Sequence, residues 1–259
     1  MNWKAALAGI LAVGAIAAAA PALLRADATG YLAGSAPDSV AILPPPPTAG
    51  SLRDQADREL FRRTRTLEDT ARWEMARRDN EKDELLEDQA CALGLPINAQ
   101  TAPRTTALLA RVRVDARALV DPPKEHYRRK RPYLVDPGPT CVMQAPSLTA
   151  SPDYPSGHTT FGWAAGLILA ELAPDRATPI LIRARAYGES RLVCGVHSQS
   201  AVEAGRTNGS ILVAALHGSP EFRRDLDAAR AEIAAARKAA APPDGAVCAK
   251  ARALAKTAY

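Results

Sequence analysis

Pro155-Ser156-Gly157-His158-Thr159-Thr160-Phe161-Gly162-Trp163-Ala164-Ala165-Gly166-Leu167-Ile168-Leu169-Ala170-Glu171-Leu172 is the stretch from which the fold is read. From Thr159 to Leu172 it is apolar or small on every side, which predicts a buried central helix that Pro174 stops. Ser156-Gly157-His158 stands just ahead of it. A serine there caps a helix, and the first-turn N–H groups together with the helix dipole favour an anion. Either role fits Ser156 alone, and the histidine two residues on favours the anion site.

Two further clusters flank this stretch. Upstream lies Lys124-Glu125-His126-Tyr127-Arg128-Arg129-Lys130-Arg131-Pro132, and downstream Ser190-Arg191-Leu192-Val193-Cys194-Gly195-Val196-His197. Fixed cations beside two imidazoles suit a phosphoryl group: the cations hold its oxygens, one imidazole attacks and the other protonates the leaving group. No other part of the sequence offers comparable chemistry.

Together the three clusters resemble the signature of the type 2 phosphatidic acid phosphatase superfamily, K-x6-R-P, P-S-G-H and S-R-x5-H-x3-D. Outside the signature, Tyr31-Leu32, the run Asp38 to Pro47 and the stretch Pro155 to Glu171 resemble the secreted class A bacterial nonspecific acid phosphatases. The resemblance spans roughly residues 29–240. It implies an all-α, compact helical bundle of the phosphatidic acid phosphatase and haloperoxidase type, and broad phosphomonoester hydrolysis through a phosphohistidine. His197 is then the nucleophile and His158 the general acid and base; Lys124, Arg131, Ser156, Gly157 and Arg191 bind phosphate, and Ser190 supports them. The implied partners are small phosphomonoesters and inorganic phosphate, and the implied assembly is a homodimer. A phosphate-binding relic without catalysis and a vanadium-dependent haloperoxidase are the alternative readings.

One position departs from the signature. Its final Asp falls on Ala201, and Ser198 replaces the Trp usual after the second histidine. An imidazole that attacks through one nitrogen must carry its proton on the other and have it held. On a helix, residue 201 shares a face with His197, Glu203 points elsewhere, and Ser200 or a water is the better substitute. By analogy with a serine protease that loses its orienting Asp, turnover is expected to fall by roughly 10² to 10⁴ against a chain with Asp at 201.

The remaining composition is consistent with this. A chain of 259 residues, 47% hydrophobic, can bury one full core. A net charge of +5 is modest and spread along helices, which favours small anionic substrates over nucleic acid. Four histidines with no carboxylate cluster beside them predict no metal, and no cofactor is expected. Arg128, Arg129 and Lys130 read as solvated charge, His126 and His217 as structural or surface groups.

Residues 1–28 have the basic start, alanine-rich apolar run and A-x-A end of a secretory signal, which predicts a periplasmic or secreted protein with no stable membrane insertion after cleavage. An uncleaved anchor is the alternative. Cys91, Cys141, Cys194 and Cys248 then suggest two disulfides with three possible pairings. Cys141 with Cys194 and Cys91 with Cys248 is preferred, since Cys141 and Cys194 both lie within the signature region.

Along the chain, residues 29–50 read as a Pro-rich arm and 51–240 as the helical domain, with 241–259 a tail. Leu52, Ala56, Leu60, Leu67, Ala71 and Met75 form one expected helical stripe. Leu108, Leu109, Val112, Ala116 and Leu119 form another, ended by Pro122-Pro123, which places Lys124 past a helix end. Residues 133–154 read as a rim loop. Helices are expected over 177–191 and 198–216, and a surface helix carries Phe222, Leu226, Ala229, Ile233 and Ala236. No segment alternates in the manner of a strand.

Overall fold

The computed structural model describes residues 29–81 and 84–256; the expected secretory signal at 1–28 lies outside the described residues. Eleven helices are described: α1 Ser39–Ile42, α2 Leu52–Arg65, α3 Ala71–Arg78, α4 Leu85–Leu93, α5 Pro103–Tyr127, α6 Pro146–Ala150, α7 Gly157–Leu172, α8 Ala177–Val193, α9 Gln199–Leu216, α10 Pro220–Ala239 and α11 Gly245–Lys256. No strand occurs among the described residues, and the fold is all-α. None of the described helices is long and apolar enough to cross a membrane.

Local chemistry starts many of these helices. The hydroxyls of Ser51, Thr70, Ser156, Ser198 and Ser219 accept N–H groups three residues on, supplying partners that a first turn lacks. α7 is the centre, packed against α8, α9 and α5. Small residues let the backbones approach. A Cβ on Gly166 would lie 2.3 Å from the Ala184 Cβ, and one on Gly209 2.7 Å from the Thr160 carbonyl oxygen. Ala164, Ala165, Ile168 and Leu169 of α7 are buried with Leu108, Val112 and Leu119 of α5 and Leu212 of α9 in one core.

The expected boundary at Pro122-Pro123 is not where α5 ends. The helix runs through both prolines to Tyr127 and closes at Arg128 in a left-handed cap, so Lys124 stands in its last turn. Pro123 has no N–H for the Leu119 carbonyl. That oxygen instead accepts from the Ser39 hydroxyl at 2.6 Å and the Asn208 amide at 2.8 Å, so tertiary partners replace the lost helical bond.

The stripe expected over residues 52–75 is also corrected. The chain breaks between α2 and α3, Leu52, Ala56 and Ala71 are exposed, and the inward face of α2 carries Asp57, Phe61 and Thr64. Asp57 and Thr64 face inward because buried polar partners meet them there, which a hydrophobic pattern does not register. Beyond Ala240, where a frayed tail is expected, α11 packs on α8 and is tied by Cys91–Cys248. Cys141–Cys194 is the second disulfide, so both preferred pairings are present.

Residues 29–50 are held to the bundle at several points. Tyr31 and Leu32 donate their N–H groups to Asp115 at 2.7 and 3.1 Å, and the Tyr154 hydroxyl donates to the Pro44 carbonyl at 2.5 Å.

Candidate active site

Lys124, Arg131, Gly157, His158, Arg191 and His197 line one cavity of about 460 Å³. α5 brings Lys124, α7 opens on the cavity with Gly157 and His158, and α8 brings Arg191 in its last turn. His197 follows on a short loop that turns at Gly195, whose φ of +77° disfavours a side chain. Arg65 holds this loop by donating to the Leu192 and Val193 carbonyls at 2.9 and 2.7 Å, and Cys141–Cys194 ties it to the rim segment. Ser147, Leu148 and Ser151 of that segment also line the cavity.

The hydrogen bonds of His197 fix its tautomer. Arg131 Nη1 lies 3.3 Å from Nε2, and a guanidinium only donates, so Nε2 holds a lone pair and the proton sits on Nδ1. Nδ1 in turn lies 2.9 Å from Asp153 Oδ1. Burial, with Arg131, Lys124 and Arg191 close by, holds the His197 pKa well below the ordinary imidazole value; hydrogen bonding to Asp153 opposes this.

Arg131 donates to the Ser151 and Val196 carbonyls, each at 2.7 Å, and Arg191 to the Asn80 side-chain oxygen at 3.2 Å. Neutral acceptors therefore hold both cations. Arg191 is 1% exposed, yet its Nε and Nη1 have no partner among the described residues. Arg191 lines the cavity, and buried guanidinium donors without a protein acceptor there are chemically suited to an anion. Burial lowers the Arg191 pKa to about 10, which leaves it charged at acidic and neutral pH. Lys124 donates to the Ser151 hydroxyl at 3.1 Å and to the Pro152 carbonyl. His158 Nε2 lies 3.1 Å from the Asn80 carbonyl oxygen, which can only accept, so that nitrogen carries a proton.

Not every sequence-predicted group reaches the cavity. Ser156 is fully buried as the cap of α7: its hydroxyl accepts from Thr159 and its N–H donates to the Ala201 carbonyl. Ser190 acts from behind, donating to Asp79 at 2.5 Å and accepting from Arg72 at 3.0 Å. Asp79 also pairs with Arg183, and the next residue, Asn80, touches both His158 and Arg191. His126 is exposed, and His217 pairs with Glu171 at 3.2 Å.

Two expectations are overturned. Ala201 does not leave His197 without a carboxylate, because Asp153 faces Nδ1. His197 precedes the Ser198 cap of α9 and is not one helical turn from residue 201; Ser200 bonds to Asp57, not to the imidazole. Nor is Arg129 simply solvated. It donates to Asp57 Oδ2 and the Ser198 hydroxyl, each at 2.8 Å, and lies 3.5 Å from Asp153 Oδ2. Asp153, Asn80 and Asp79 lie outside any apolar stripe, and Asp57 falls off the face that the expected stripe over residues 52–75 marks as inward. The one sequence clue to Asp153 is a lone acid two residues before Pro155 in a chain whose motif lacks its own.

The fold is all-helical, and it gathers two histidines and three cations around one cavity. The chain belongs to the PAP2 superfamily, whose family model matches residues 106–225. It is homologous to bacterial non-specific acid phosphatases. An acid phosphatase of Zymomonas mobilis is 40% identical over 214 residues, covering 82% of this chain and 81% of its own. A non-specific acid phosphatase of Providencia stuartii is 38% identical, covering 78% and 83%. Among solved structures, a bacterial vanadium-dependent iodoperoxidase shares the fold with a TM-score of 0.52 at 17% identity; the match covers 70% of this chain and 53% of that protein, about half its length.

Proposed function

We propose that the protein is an exported acid phosphatase that hydrolyses phosphate monoesters of broad specificity through a phosphohistidine on His197. The observation that carries this is the unprotonated Nε2 of His197, set beside Arg131 in the cavity that also holds the unpartnered donors of Arg191. Nε2 attacks phosphorus with its lone pair as the ester P–O bond breaks, and the leaving oxygen takes a proton from His158. Nε2–H of His158 is held by the Asn80 carbonyl at 3.1 Å, which orients the ring at the cavity. In the second half, His158 takes a proton from water as that water attacks phosphorus; the N–P bond breaks and Nε2 regains its lone pair. Lys124, Arg131, Arg191 and the first-turn N–H groups of α7 neutralise charge on the transferring oxygens.

Homology to acid phosphatases supports the substrate class. The residue 1–28 pattern and two disulfides support export to an oxidising compartment. The test is phosphate release from an aryl phosphate at mildly acidic pH with chelator present, beside His197→Ala. Turnover that survives the chelator and is lost in the variant supports the reading. No release by either protein removes it and leaves the phosphate-binding relic.

A further inference from the structure

Asp153 is completely buried at the end of the rim segment, and every group around it donates. Its Oδ1 accepts from His197 Nδ1 at 2.9 Å and the Ser198 N–H at 3.1 Å, and its Oδ2 from the Ser198 hydroxyl at 2.6 Å. The Ser198 hydroxyl is itself the acceptor of an Arg129 N–H at 2.8 Å, which commits its own hydrogen to Asp153. An ionised carboxylate satisfies all of these donors at once, whereas a protonated one would face another hydrogen. Burial pushes the Asp153 pKa up, while Arg129 and the Ser198 hydrogen bonds oppose it. Asp57 completes the line by pairing with Arg129 at 2.8 Å. Asp57, Arg129 and Asp153 therefore alternate in charge behind the neutral imidazole of His197, with the Asp153 carboxylate facing its Nδ1.

Residue 201 and residue 153 serve the same neighbourhood. Ala201 is fully buried against Tyr154, and its carbonyl accepts the Ser156 N–H at 2.9 Å. The signature's carboxylate is absent at 201, and a carboxylate of a different segment has the contact that an orienting group needs.

We propose that Asp153 is the positioning residue for His197, replacing from the rim segment the carboxylate that S-R-x5-H-x3-D places at residue 201, with Arg129 and Asp57 holding it in register. The role rests on the phosphatase reading above. It fixes the proton on Nδ1, aims Nε2 into the cavity and stabilises the ring as it becomes positive on attack. Ala201 then costs little turnover, against the sequence expectation.

The experiment compares the parent with His197→Ala, Asp153→Asn, Asp153→Ser, Ala201→Asp and the double variant Asp153→Ser/Ala201→Asp, using an aryl phosphate and thermal unfolding. Asp153→Asn is expected to lower kcat by roughly 10² to 10⁴ with much less change in KM. Without the carboxylate, imidazolium loses an opposite charge, so the acid limb of kcat/KM moves to lower pH. The double variant recovers kcat at least about tenfold over Asp153→Ser, because a carboxylate is returned from the other side. Ala201→Asp alone gives no gain. A second readout does not need turnover: ¹⁵N-edited NMR of His197 in the parent shows a proton on Nδ1 in a strong hydrogen bond, and Asp153→Asn shifts or loses it.

An Asp153→Asn kcat within about threefold of the parent overturns the proposal. A gain in turnover from Ala201→Asp in the parent, a double variant no better than Asp153→Ser, or an unprotonated Nδ1 does so as well. If the parent itself releases no phosphate, the phosphatase reading falls and the NMR result decides Asp153 separately. If the Asp153 variants do not fold, the parent spectrum decides it.

Discussion

His197 is neutral under conditions where an exposed imidazole is half charged, and this sets the acid side of the expected activity. Its pKa lies below the ordinary value because burial and three cations disfavour the imidazolium. As pH falls through about 6.5, the folded protein therefore keeps its attacking lone pair, and the acid limb of kcat/KM for the aryl phosphate should lie below that pH. The same depression has a stability consequence. Between the folded value and about 6.5 the unfolded chain binds a proton there and the folded one does not, so folding weakens as pH falls. Unfolding of the parent and His197→Ala at several pH values should show the parent losing ground to the variant below about 6.5. Arg191 is the other residue on which the proposed chemistry depends. Arg191→Ala should lower kcat by roughly 10² to 10³, since donors aimed at the transferring oxygens are lost. Its melting temperature should not fall, because the two buried N–H groups without partners leave with it. A clear loss of stability in that variant would mean that the guanidinium is structural.

At the scale of elements, α5 shows how far local propensity carries. Two consecutive prolines predict an end at residue 121, yet the helix continues because Ser39 and Asn208 occupy the carbonyl that Pro123 leaves bare. The extra turn is what carries Lys124 to the cavity. Asn208→Ala and Ser39→Ala should each cost about 1–3 kcal/mol, read as a lower denaturant midpoint, since each removes one buried donor and leaves the other on the Leu119 carbonyl. Both variants should raise KM if the last turn of α5 shifts. α7 illustrates the reverse case. Its uniform run of small apolar residues reads as buried helix with no tertiary knowledge, and the glycines that let α8 and α9 approach are part of that run or its partners. α2 lies between these cases: its inward face carries Asp57 and Thr64 beside Phe61, and only the position of Arg129 and α9 makes that face the buried one.

For the whole molecule, two disulfides tie distant parts of the chain, and they should separate in their effects. Cys91–Cys248 closes 157 residues and anchors α11 away from the cavity, so replacing both cysteines with Ser should lower stability by roughly 2–5 kcal/mol and leave kcat intact. Cys141–Cys194 sits three residues from His197, and its loss should lower kcat as well as the melting temperature. Calorimetry beside the aryl phosphate assay checks both, and equal effects on kcat would break the distinction. The sequence by itself determined the helical class and the central helix, because helical periodicity is written in consecutive residues, and its resemblance to the superfamily signature singled out His158, His197, Lys124, Arg131 and Arg191, which line one cavity. The tertiary structure alone decided that α5 passes its prolines, that Arg129 is drawn inward, that Asn80 joins His158 to Arg191, and that Asp153 faces His197 where residue 201 does not. The physical reason is common to all four: a buried polar group is satisfied by whichever partner the packing of distant segments brings within hydrogen-bond reach, and no local pattern encodes that distance.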